Sequence, residues 1–110
     1  MEAARRLQHT VVVPAVILAE LYRGPGHSSM VDACLSREED ALAVRNTDRI
    51  LARYVGGVLA AGGAGSELLA DAHVVATAVE AGGGVVLTAD GRDMARLAAA
   101  YHPVVTVQEV

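Results

Sequence analysis

Hydrophobic positions along this chain fall into two kinds of run. Short apolar runs, rich in β-branched residues, occur at Val11-Val12-Val13, Ala41 to Arg45, Val85 to Thr88 and Val104 to Val107. Runs of that length, bounded by turn residues, predict buried strands. Between them lie longer stretches with apolar residues three and four apart, the spacing of one helix face. Residues 2–9 read as the end of a helix. Pro14 suits the first turn of a helix running to about Arg23. Gly24-Pro25-Gly26 then breaks the chain, and Ser28 or Ser29 caps a short helix through about Ser36. Asn46 or Thr47 caps a helix to about Ala61, with Gly56-Gly57 as a weak point inside it. Gly62 to Gly65 is a loop. Ser66 caps a helix over 67–81, with Glu67 in its first turn and Gly82 past its end. Asp90 caps a helix to about Tyr101, and Pro103 precedes the last strand. Strands alternating with helices predict βαβ units and a parallel sheet. The expectation is a single α/β domain over 1–110. Four strands is a small count for a sheet covered on both faces, which suggests that a first strand is absent.

Composition sharpens this picture. A chain of 110 residues suits one domain. Hydrophobic residues make up 53% and charged residues 20%, which excludes a disordered chain. With 21 alanines and no Trp or Phe, the core must be built from Val, Leu, Ile and Ala. The formal net charge of -4 argues against holding nucleic acid by bulk positive charge. It leaves room for an enzyme that uses acidic residues to bind metal, since the ion inverts the local field. Cys34 is the only cysteine, so no intrachain disulfide forms and a reducing compartment is favoured; its default role is a small buried hydrophobe. No uncharged apolar run is long enough to span a bilayer, and no signal-like cleavage site follows Val11 to Ala19. The chain is therefore expected to be cytoplasmic, without a membrane.

The informative acids are those that interrupt apolar stripes, because burying a lone carboxylate is costly unless a cation or hydrogen bonds compensate. Glu20 shares a helix side with Val13 and Val16 or Ile17. It is either a metal ligand or a helix-end Glu paired with Arg23. Asp71 lies on or beside the stripe Leu68, Asp71, Val74, Val75 and Ala78; a first-turn Asp favoured by the helix dipole is the alternative. Asp90 follows a strand and opens a helix. Ligands of open parallel sheets bind beyond the carboxyl ends of strands, but Asp is also a preferred N-cap. Asp93 either completes a cap-like pair with Asp90 or adds a ligand. Carboxylates converging from separate segments supply the hard oxygen ligands that Mg²⁺ or Mn²⁺ prefers, and need a cation to stay ionised together. Such an ion activates water and stabilises a phosphate undergoing displacement.

Other chemistries fit less well. His9, His27, His73 and His102 have no zinc spacing, and surface or locally satisfied histidine is the default. The glycine runs lack both the dinucleotide signature and the P-loop lysine. Arg45, Arg49 and Arg53 read as a solvated face.

Three segments resemble one family. Val11 to Leu21 resembles the strand and helix carrying the second acid of PIN-domain ribonucleases. Asp71 to Ala78 resembles their third acidic motif, and Val85 to Leu97, with Thr88-Ala89-Asp90, their closing strand–helix. The variant looks like a VapC-like toxin of a toxin–antitoxin pair. Order and spacing agree from about residue 7 to the C-terminus. The resemblance implies a three-layer α/β/α domain with a parallel sheet and Mg²⁺- or Mn²⁺-dependent cleavage of RNA. It also implies a homodimer and a cognate antitoxin that covers the active site. Glu20, Asp71 and Asp90 would be catalytic metal ligands, Asp93 an auxiliary ligand and Thr88 a supporting polar residue at the strand end.

The family pattern begins with a strand ending in Asp, for which this chain has no matching segment. Glu2 lies in the wrong context, and Asp32, Asp40 and Asp48 fall in segments that match elsewhere. The expectation is therefore an N-terminally truncated PIN-like domain. Two functions follow from it. One is an endoribonuclease, favoured by Glu20, Asp71 and Asp90. The other is a catalytically impaired binding module that pairs with an antitoxin or with itself, favoured by the absent first Asp. A third possibility is an α/β domain whose acids are only caps and ion pairs.

Overall fold

A computed structural model describes residues 10–22 and 24–110. The helix end expected over residues 2–9 lies outside the described residues. The chain is mixed α/β and divides into two compact units, residues 1–46 and 47–110.

In the first unit, strand β1 (Val11–Pro14) leads directly into helix α1 (Ala15–Leu21). Pro14 was expected inside the helix. It is instead the last strand residue and the N-cap, with ψ 139°, because it keeps an extended backbone before the turn begins. Helix α2 (Pro25–Arg37) follows, with Gly24 as N-cap and Pro25 in its first turn. Of Gly24-Pro25-Gly26, only Gly24 lies outside the helix, and Ser28 and Ser29 lie within it rather than capping it. Pro at the start of a helix loses no hydrogen bond, since the first amides have no partner within it. Strand β2 (Leu42–Arg45) closes the unit and pairs in parallel with β1, Val11 opposite Leu42 and Pro14 opposite Arg45.

In the second unit, helix α3 (Arg49–Ala61) is capped by Asp48, whose Oδ1 accepts the Leu51 N–H at 2.9 Å. Asp48 thus takes the role expected of Asn46 or Thr47. A 3₁₀ turn (Ser66–Leu68) precedes helix α4 (Leu69–Glu80). Ser66 makes no cap; the Glu67 carboxylate instead folds back to accept the Gly65 N–H at 3.1 Å. Strand β3 (Gly84–Thr88), helix α5 (Gly91–Ala98), a second 3₁₀ turn (Ala99–Tyr101) and strand β4 (Val105–Glu109) complete the unit. The turn from α4 into β3 needs Gly83, at φ 130°, where a Cβ would sit 2.6 Å from Val104 Cγ1.

Strands β3 and β4 pair in parallel, Gly84 opposite Val105 and Thr88 opposite Glu109. Among the described residues, the strands pair as two two-stranded parallel sheets, one in each unit. Leu51, Val55 and Val58 of α3 form the core with Ala72, Val75 and Ala76 of α4, and with Met94, Leu97 and Ala98 of α5. Val86 and Val105 meet them from the strands. Each large apolar side chain buried this way stabilises by about 1.5–3 kcal/mol. Within this unit the helices cover one face of the strand pair, while Val85 and Leu87 on the other face are 64% and 60% exposed. Arg96 of α5 ties down the end of α3, its Nε and Nη2 donating to the carbonyls of Gly62 and Gly63 at 3.0 and 2.7 Å. Among the described residues, no helix is long and apolar enough to cross a membrane.

Candidate functional site at the carboxyl edge of the second strand pair

Helix α4 packs on β3 and joins it through the tight turn of residues 81–83, so the two run antiparallel. Twelve helical residues rise about 18 Å and five strand residues about 16 Å. The first turn of α4, with Asp71, therefore returns to the end where β3 finishes at Thr88. Asp90 and Asp93 open α5 at that same end, and Glu109 finishes β4 there. Four carboxylates thus belong to the carboxyl edge of the pair, the side on which open parallel sheets bind ligands.

Asp90 is exposed and acts as the N-cap of α5, its Oδ1 accepting the Arg92 N–H at 3.3 Å. The capping role weighed against ligation is thus present, and the other carboxylate oxygen is not needed for it. Thr88 supports Asp90 directly. Its Oγ1 accepts the Asp90 N–H at 3.1 Å and donates to the Asp90 carbonyl at 3.0 Å. Asp93 is half-buried in the first turn of α5.

Asp71 is half-buried in the first turn of α4. The core-facing stripe is Leu68, Ala72, Val75 and Ala76, one step away from the stripe expected through Asp71 and Val74. Asp71 flanks the core. The phase was ambiguous because α4 is apolar almost all round. Glu20 belongs to the first unit, on α1, and is exposed; α1 buries none of its side chains fully. The argument from a buried carboxylate therefore does not apply to Glu20.

The histidines behave as expected where they are described. His27 and His102 are exposed. His73 is buried, and its Nδ1 bonds the Leu69 carbonyl at 2.8 Å, which requires the proton on Nδ1. Cys34 is a half-buried free thiol.

Glu109 escaped the sequence reading, which ended the last strand at Val107. Its Oε1 accepts the Gly91 N–H at 2.9 Å. An acid two residues past an apolar strand carried no signal of its own; only the parallel register places it beside α5.

Among the described residues, no three His, Cys, Asp or Glu side chains form a group that could hold a metal ion. Mg²⁺ keeps several waters and takes one or two carboxylates together with substrate phosphates. The carboxyl edge fits that lower requirement in residue type, as separate acids rather than as a preformed cage. Compared with known protein families, curated proteins and solved structures, the chain matches none.

Proposed function

We propose that this chain is a divalent-metal-dependent endoribonuclease of the VapC-like type, acting at the carboxyl edge of β3 and β4. The observation that carries the reading is the Thr88 hydroxyl bracketing the Asp90 backbone where β3 ends, with Asp93 in the first turn of α5; Asp71 joins them by its place in the first turn of α4. Asp71 and Asp90 would hold Mg²⁺ or Mn²⁺, with Asp93 beside them; the bound ion supplies Lewis-acid stabilisation and an activated water. Thr88 and the first turn of α5 orient Asp90 toward an RNA phosphodiester. Glu20 enters only through the resemblance of Val11 to Leu21 to the family motif. The same resemblance supports a cognate antitoxin and a second copy of the chain as partners, and a cytoplasmic setting.

The test is cleavage of RNA by the purified chain with Mn²⁺. Cutting should vanish with EDTA and fall by more than about 100-fold in Asp71→Asn, since even outer partners of metal ligands are worth 10–100-fold. If the chain cuts nothing, or Asp71→Asn cuts as well as the parent, the nuclease reading fails.

A second reading, a non-catalytic module that binds an antitoxin or itself, is favoured by exposed Val85 and Leu87, neighbours on one strand face. A rise in melting temperature with Mn²⁺ argues for a metal site, because a ligand that binds the native state must stabilise it. No rise, together with no cleavage, favours the module.

A further inference from the structure

Side chains alternate along a strand, so residues 84, 86 and 88 of β3 share a face with 105, 107 and 109 of β4. That face holds buried Val86 and Val105 and is the one the helices cover. Glu109 is the last residue on it, opposite Thr88. Its carboxylate therefore reaches the start of α5, and Oε1 accepts the Gly91 N–H at 2.9 Å across 18 residues of sequence. Gly91 leaves the room this requires, since a Cβ there would lie 2.8 Å from the same oxygen and 3.2 Å from Glu109 Cδ. The carbonyl of the same peptide unit, that of Asp90, accepts from Thr88 Oγ1 at 3.0 Å. A peptide is planar. Holding its carbonyl from Thr88 and its N–H from Glu109 fixes the plane, and with it the backbone that aims the Asp90 side chain.

We propose that Glu109 is a positioning residue for Asp90. By holding the Asp90–Gly91 peptide against Thr88, it sets the direction in which the Asp90 carboxylate projects from the carboxyl edge. This rests on the ribonuclease reading above. Glu109 acts through the peptide hydrogen bond, so an uncharged acceptor of the same length replaces it.

The experiment compares Glu109→Ala, Glu109→Gln and Gly91→Ala with the parent chain. It reads amide hydrogen exchange at residue 91, and kcat and KM for RNA cleavage with Mn²⁺, with circular dichroism to verify folding. Glu109→Ala should speed exchange at Gly91 by about 10-fold, the scale of one lost hydrogen bond to a charged group. It should lower kcat by about 10-fold with KM unchanged, the lower end of the effect of an outer partner. Glu109→Gln should restore both to near the parent values. Gly91→Ala, which displaces the carboxylate without removing its charge, should reproduce the loss of kcat. The proposal is overturned if Glu109→Ala leaves exchange at Gly91 unchanged, or if exchange rises while kcat holds. It is also overturned if Glu109→Gln is as slow as Glu109→Ala, which would mean that Glu109 acts by charge. A parent chain that cuts no RNA removes the ribonuclease reading and this role with it, whereas an active parent with indifferent variants removes this role alone.

Discussion

Residues 47–110 bury Leu51, Val58, Val75, Leu97 and Val105 almost completely, whereas no large apolar side chain described in residues 10–46 is buried so deeply. Both units contain a parallel strand pair, so strand pairing does not make the difference. The helices do. α3 and α5 present narrow apolar stripes, Leu51-Val55-Val58 and Met94-Leu97-Ala98, which face α4 and the strands. α1 is apolar in five of its first positions, Ala15 to Ala19, yet buries none fully. Hydrophobicity along a segment thus does not measure burial. A stripe becomes core only when a complementary stripe lies against it, as α3, α4 and α5 supply for one another.

The largest test of this contrast is cavity formation. Leu97→Ala should destabilise the second unit by about 2–5 kcal/mol, read as a lower urea midpoint. Leu21→Ala, at an exposed position of α1, should change stability by less than about 0.5 kcal/mol. Equal losses would erase the distinction between the units.

Hydrogen exchange sharpens it next. Local opening is easiest where few apolar contacts are buried. Amides of β1 and β2 should exchange at least about 10-fold faster than those of β3 and β4, a difference of about 1.4 kcal/mol in opening. Similar protection in both pairs would contradict the contrast in packing.

A smaller effect follows from the cap of α3. Asp48→Ala removes the acceptor for the Leu51 N–H and should cost about 1 kcal/mol, while Asp48→Asn retains most of it. Thermal melts of both variants separate a lost cap from a lost charge.

The smallest effects are in pH, and they differ in direction between the units. The Glu67 carboxyl is held below its usual range by its own backbone N–H and that of Gly65, with Arg96 contributing. Its contribution is present above the unfolded value of about 4.3 and lost as pH falls through the lower folded value. Glu67→Gln should flatten the acid side of the stability profile. The Tyr22 hydroxyl is raised above its usual value chiefly by the hydrogen bond it donates to Asp32, at 2.6 Å. Its contribution is present below about 10 and lost as pH rises through the higher folded value. Tyr22→Phe should remove from an ultraviolet titration a tyrosine that ionises above its usual value. Both groups lie at the surface, so unchanged profiles would mean that solvent screens these contacts.

The order and type of the elements were legible because local rules decide them. Alternation of β-branched runs with helical spacing located all four strands to within two residues at each end. Asp90 was legible as a cap because an Asp directly after a strand and before an apolar stripe has few other local uses. Asp48 was not, since Asn46, Thr47 and Asp48 are all competent caps and only the chain path into α3 selects one. The phase of α4 was ambiguous for a related reason: an almost wholly apolar helix carries no polar face to orient it, so Asp71 was placed on or beside the core stripe, and it flanks that stripe.

By itself, the sequence determined a mixed α/β chain, its succession of strands and helices, and the Asp90 cap of α5. These depend on residues within a few positions of one another. Tertiary structure alone decided which strands pair, which face of β3 is covered, and that Glu109 meets Gly91. Each joins residues far apart along the chain, and parallel register and helix packing bring them together without a local pattern to announce it.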